Sequence, residues 1–191
     1  YLSVLPLLTG YKLLKETHML HHKYTNVPEK DPDIVTKSSG FFHSLWVCGV
    51  KLRQPNAGYG LQSDFYRENI SSRAFKEHLV FFWFHWILLA FLCLLGHGLI
   101  VIAIWWLPRL IGTAYLQITL SFLPHKPMEK VGRYRDTRGW KATTGTILTQ
   151  GMEYHIIHHL YPSIPLHKTP SAYRDMRHIL EEKNCVLDGG I

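Results

Sequence analysis

Hydrophobic and polar positions divide this chain into two polar, basic segments flanking one long apolar stretch. Tyr1–Leu8 is apolar but far short of the about 20 residues that cross a bilayer, so it is expected to end an interfacial or membrane helix at Thr9-Gly10. From Tyr11 to Lys23 the spacing predicts a helix, with Tyr11, Leu14, His18, His21 and His22 on one side and Lys12, Lys15 and Glu16 largely off that face. Asn26 to Asp33 carries two prolines and four charged residues and reads as a loop. Phe41–Val50 is apolar and predicts a short helix, either lying on a membrane or capping a cytoplasmic domain. Gln54–Asp64, rich in Gly and Asn, is expected to be irregular.

His78–Leu95 is nearly uninterrupted hydrophobic sequence, and Leu99–Leu107 continues it. Trp105-Trp106 followed by Pro108-Arg109 suggests a turn at the far interface, with Leu110–Leu123 returning. A break at Gly96–Gly98 instead would leave Arg109 inside the bilayer, at a cost of roughly 3 kcal/mol. The turn near Pro108 is therefore the expectation. Beyond Pro124 the chain is polar again. A helix is expected over about Thr143 to Leu160, stopped by Pro162. Another begins at Thr169-Pro170, with Tyr173, Met176 and Leu180 as its buried stripe. This pattern predicts an all-α protein: a membrane-embedded helical hairpin with a cytoplasmic helical cap. One domain is expected over 1–191, divided into 1–77, a hairpin at 78–123, and 124–191.

Charge sharpens that picture. The formal net charge is +7, which would also suit nucleic acid, but its placement argues otherwise. Ten Lys/Arg lie between Lys12 and Lys76, ten between Lys126 and Lys183, and only Arg109 between them. That is the positive-inside distribution of an integral, multi-pass protein with both polar segments in the cytoplasm, and no nucleic-acid partner is expected. The aromatic content of 13% fits interfacial anchoring. Cys48, Cys93 and Cys185 are too scattered for a zinc knuckle or a disulfide framework and read as reduced.

The histidines carry the chemistry. His18-x-x-His21-His22 and His155-x-x-His158-His159 are one motif, repeated 137 residues apart. On a helix, positions i, i+3 and i+4 fall within about 100° of arc, so three imidazoles point one way. His125, in Pro124-His125-Lys126-Pro127, sits where the second membrane segment emerges on the same side. One such motif also suits a solvated helix face. Two flanking a hairpin, with a third element beside them, point to a metal cluster. Seven imidazoles exceed one tetrahedral zinc site and suit two six-coordinate ions such as iron. The non-enzyme alternative is a metal-ion transporter, which places ligands near the bilayer midplane. Here only His85 lies well within a span, and it reads as a packed, hydrogen-bonded residue. His43, His78, His97, His167 and His178 have no partner at ligand spacing.

These motifs resemble the fatty-acid-desaturase superfamily. His18–Asn26 running into Glu29-Lys30-Asp31-Pro32-Asp33 is similar to its second histidine box, and Glu153–Pro162 to its third. Phe122-Leu123-Pro124-His125-Lys126-Pro127 and His159-Leu160-Tyr161-Pro162-Ser163-Ile164-Pro165 most resemble the cyanobacterial-type β-carotene hydroxylases. The resemblance implies a di-iron centre held by His18, His21, His22, His125, His155, His158 and His159, with dioxygen as co-substrate. It implies a lipid or carotenoid substrate and an external electron donor such as ferredoxin or a reductase. Hydroxylation of a β-carotene ring is the expected reaction; acyl desaturation and ring ketolation are the alternatives. Asp31, Asp33, Asp136 and Glu153 are candidates to hold ligand imidazoles by hydrogen bonds. Glu153 replaces the Asn common in such hydroxylases, and its alternative reading is a solvent-facing charge. The superfamily's first box would lie upstream of Tyr1. The chain is accordingly expected to be an N-terminally truncated fragment that by itself holds iron poorly and is inactive.

Overall fold

The computed structural model describes residues 9–53, 64–141 and 146–189. The expectations for Tyr1–Leu8, for nearly all of Gln54–Asp64 and for the start of a helix at Thr143 lie outside these residues. The fold is all-α, with a membrane hairpin and a cap that carries the histidine clusters. Its helices are α1 (Tyr11–Tyr24), α2 (Phe41–Gly49), α3 (Asp64–Asn69), α4 (Ser72–Leu94), α5 (Gly98–His125), α6 (Thr146–Thr149), α7 (His155–Leu160) and α8 (Thr169–Glu182). Two short strands, β1 (Arg138–Trp140) and β2 (Val186–Gly189), pair in parallel.

The hairpin is α4 and α5, each long and apolar enough to cross a membrane. Its turn is at Leu95–His97, where Gly96 adopts φ +84, and not at Pro108. Helix α5 runs straight through Pro108. Proline offers no N–H to the carbonyl four residues back, and the helix absorbs this by widening over Ile102–Trp106, where Leu107 N–H reaches the Ile102 carbonyl. The same device precedes Pro124: Gln117–Phe122 is π-helical, and Leu123 N–H reaches Ile118. A proline signals a helix terminus by its local preference, but inside a long apolar helix a π-turn accommodates it. Arg109 consequently lies within α5, about 17 Å of helix rise from Gly98. Its guanidinium covers the Trp106 ring at 4.3 Å. His85 is buried, donates from Nδ1 to the Phe81 carbonyl at 2.6 Å and lies beside Trp105.

Helix α1 crosses the cap end of the hairpin. Leu13 and Leu20 pack with Tyr66, Ile70 and Ala74. Glu16 accepts from both the backbone and hydroxyl of Ser71, whose own Oγ caps α4 at Ala74 N. Glu77 accepts from Lys12 N, and Gly10 lies so near α4 that a Cβ there would stand 2.9 Å from His78 N. Small size at Gly10 thus sets the approach of the helix that carries the first histidine motif.

Helix α2 buries Val47 and Cys48 against α5 residues Ile118, Phe122 and Leu123. Its other face exposes Phe41, Phe42, Leu45 and Trp46, as the hairpin exposes apolar side chains of its own. The helix expected from Thr143 to Leu160 is interrupted. Gln150 and Gly151 both take positive φ, +53 and +78, and separate α6 from a 3-10 turn and α7. Helix α7 then buries Ile156, Ile157 and Leu160 against Tyr173 and Leu180 of α8. Each fully buried aliphatic chain contributes about 1.5–3 kcal/mol. This burial fixes the rotation of α7, so its histidine face turns inward toward α1.

Candidate metal centre

The seven predicted histidines converge in two adjacent groups. His21, His125, His155 and His159 place one ring nitrogen each within 4.8 Å of one another, and His18, His22 and His158 do the same. The groups touch: the rings of His22 and His159 stack with centroids 4.2 Å apart, and those of His155 and His158 lie 5.2 Å apart.

In the first group, neighbours fix the tautomers of two rings. His21 Nδ1 lies 2.8 Å from Asp31 Oδ1, and a carboxylate only accepts, so Nδ1 carries the proton. His125 Nδ1 lies 3.0 Å from the Asp136 carbonyl and must likewise donate. In the neutral rings both Nε2 atoms therefore present lone pairs, and these face each other at 3.2 Å. His21 and His125 are 1% and 3% exposed. Both nitrogens of His155 and Nε2 of His159 are buried without a hydrogen-bond partner. Buried polar atoms are normally paired, and a cation held by these rings would take up their free lone pairs.

The second group is more open, with His18 exposed and His22 and His158 half-buried. Its three Nε2 atoms form a triangle with edges of 3.1, 3.1 and 3.2 Å. With a metal–nitrogen bond of about 2.1 Å, neighbouring ligands stand about 3.0 Å apart at right angles and about 3.4 Å apart in a tetrahedron. The observed edges fit one face of a six-coordinate site better than a tetrahedral one.

Electrostatics keeps these rings neutral. Burial and then the charges of His18 and His158 push His22 down to about 3. Burial, with His18 and His21, pushes His158 down to about 4. Burial and neighbouring imidazoles also lower His18, and hold His155 and His159 well below their usual range. For His21, burial lowers the value, but Asp33, Asp31 and Asp136 together outweigh it and leave it raised. At neutral pH nearly every ring offers a lone pair, as metal binding requires.

The predicted carboxylates fare differently. Asp31 is buried and accepts from His21 Nδ1, Asn26 N and Asp33 N. Asp33 is half-buried, its Oδ2 4.0 Å from His21 Nδ1, too far for a hydrogen bond but close enough to act by charge. Asp136 serves through its backbone carbonyl, not its carboxylate, which burial raises to about 6. Glu153 is buried, so it is not a solvent-facing charge, yet it makes no bond to His155; its carboxylate accepts from the Thr149 hydroxyl. Thr149, Thr25 and Asn26 belong to this surrounding shell and sequence reasoning did not single them out. Thr25 and Asn26 directly follow α1, at the helix end where a polar residue able to adopt left-handed φ is expected, and Asn26 adopts it.

A cleft of about 400 Å3 reaches the centre from the cap surface, lined by His22, Lys23, Thr25, Arg133, Asp136 and His159. The sequence profile of the fatty acid desaturase family matches residues 1–189. The chain belongs to the fatty acid desaturase family. Comparison with curated proteins and with solved structures gives no match. For this desaturase-family chain, membership and the two histidine clusters together indicate an oxygen-dependent oxidoreductase, of desaturase or hydroxylase type, acting on lipid at a membrane.

Proposed function

We propose that this protein is a membrane di-iron oxygenase that hydroxylates the ring of a carotenoid such as β-carotene. The observation that carries the metal part is the pair of tautomer-fixed, buried lone pairs of His21 and His125, facing each other at 3.2 Å beside His155 and His159. In this reading those four residues hold one iron, and His18, His22 and His158 hold the other. Bound iron supplies the activation of dioxygen, with two external electrons, that oxidises an unactivated C–H bond.

The chain's own residues do the rest. Asp31 and the Asp136 carbonyl hold two rings in one tautomer and orientation. Ile156, Ile157, Phe122 and Leu123 back the centre with apolar packing that excludes water. The hairpin, with its lipid-facing apolar surface, brings a membrane-dissolved substrate to the centre, which lies at the end where α5 leaves the span. In this reading that end faces the cytoplasm, which the Lys and Arg residues on either side of the hairpin support. Lys23 and Arg133 give the cleft a basic lining suited to an acidic electron donor such as ferredoxin or a reductase domain.

The ring-hydroxylation assignment rests on Leu123-Pro124-His125-Lys126-Pro127 and on the residues after His159. Its test is expression of the gene encoding this chain in bacteria that accumulate β-carotene, with pigments and fatty acids analysed together. Hydroxylated carotenoids with an unchanged acyl profile are expected. New acyl double bonds with unchanged β-carotene would assign the protein to acyl desaturation instead.

A further inference from the structure

Asn26 lies immediately beyond α1, in the left-handed region at φ +62, and is 3% exposed. Its backbone N–H donates to Asp31 Oδ2 at 2.6 Å. Its side-chain Nδ2 donates to two carbonyls, those of Lys130 and Asp136, each at 2.8 Å. An amide nitrogen has two hydrogens, and both are used. Asp31 is the acceptor for His21, and the Asp136 carbonyl is the acceptor for His125. One residue therefore binds both of the groups that orient the two facing imidazoles.

This matters because those imidazoles come from separate parts of the fold. His21 is on α1 and His125 ends α5, 104 residues later. The Lys130–Asp136 loop is joined to α1 directly by the Asn26 amide. We propose that Asn26 is a positioning residue that couples the orientation of His21 to that of His125 and so sets the geometry of the four-histidine half of the centre. The inference rests on the metal reading above. The three-histidine half, His18, His22 and His158, has no hydrogen bond to Asn26, Asp31 or Asp136. Loss of Asn26 should therefore act on one half only.

Two substitutions separate positioning from backbone strain. Asn26→Gly tolerates positive φ and keeps the N–H to Asp31, while removing both amide bonds. Asn26→Asp keeps the size but replaces the donors with an acceptor facing two carbonyls. The probe is cobalt(II), titrated anaerobically into the protein expressed from its whole gene and purified in lipid nanodiscs, and read by its visible ligand-field bands, with a melting curve for each variant. Wild type should take two equivalents. Both variants should lose about 10- to 100-fold in affinity at one equivalent, with altered bands for that equivalent, and keep the other unchanged. A variant with two wild-type equivalents and wild-type bands overturns the inference, and so does equal weakening of both with a lowered melting temperature. Absence of cobalt binding by wild type would overturn the metal reading itself, and the inference with it.

Discussion

His21 Nε2 and His125 Nε2 stand 3.2 Å apart in the protein interior, although α1 and the end of α5 bring them from positions 104 residues apart. Each ring is held from behind, by the Asp31 carboxylate and the Asp136 carbonyl. Two lone pairs at that distance repel unless a proton or a metal ion lies between them. The raised proton affinity of His21, where Asp33, Asp31 and Asp136 outweigh the opposing effect of burial, gives the metal-free protein one way to relieve that repulsion.

The two aspartates near His21 should therefore differ in consequence. Asp31→Asn weakens the hydrogen bond that fixes the His21 tautomer, because an amide oxygen is a poorer acceptor than a carboxylate, and should weaken metal binding about 10- to 100-fold. Asp33→Asn, 4.0 Å away and half-buried, should change it by less than about threefold. Iron or cobalt titration of the two variants side by side checks the order. Equal effects would mean that charge near His21, not the hydrogen bond, is what matters.

Acid should destabilise the metal-free protein well above the range of ordinary carboxylate titration. His18, His22, His155, His158 and His159 have folded-state values below the ordinary 6.5, reaching about 3 for His22 and about 4 for His158. Their unfolded forms take up protons first, so stability is full above about 6.5 and falls as pH drops toward about 4. His21 and Asp136 oppose this, because their raised values favour the folded state at low pH, but they are two groups against five. Melting temperatures of metal-free protein should thus decline from pH 7 to pH 4. A flat or rising profile would contradict the depressed values.

Gly10→Ala should loosen the centre from a distance. The added Cβ would meet the His78 backbone at 2.9 Å, and backbone cannot step aside as a flexible side chain can. Overpacking of this kind costs about 1–3 kcal/mol. Because α1 carries His18, His21 and His22, the variant should lose both melting temperature and metal affinity. Unchanged affinity would show that α1 is located by contacts other than those with α4.

Topology can be read by labelling. In a protein with Cys48, Cys93 and Cys185 replaced by serine, single cysteines at Arg67 and Glu129 should react with an impermeant thiol reagent from one side of sealed vesicles. A cysteine at His97, in the exposed turn between α4 and α5, should react from the other. Reaction of all three from one side would remove the membrane hairpin from this account.

Much of this site was legible in the sequence because helical periodicity is local. His18, His21 and His22 fall on one face of α1 whatever the rest of the chain does, and the same holds for His155, His158 and His159 on α7. The paired motifs, with His125 at the exit of α5, gave all seven histidines of the two groups. What was not legible depends on contacts distant in sequence. Asn26 gains its place only when the Lys130–Asp136 loop folds against it, and Asp136 acts through a backbone atom that no side-chain pattern reports. Glu153 turns toward Thr149 because Gln150 and Gly151 break the expected helix. The hairpin turn was misplaced for a physical reason. Pro108 carries the usual signal of a helix terminus, while a π-turn upstream lets α5 continue, leaving Gly96 to make the reversal.

The central claim is that these seven histidines hold two metal ions in separable halves. The most direct measurement is the iron content of the protein expressed from its own gene, purified in nanodiscs, loaded anaerobically with ferrous iron and freed of excess metal. The account predicts two irons per chain in wild type, and one each in His125→Ala and His158→Ala, lost from different halves. Wild-type iron content in both variants, or no retained iron in wild type, would contradict it.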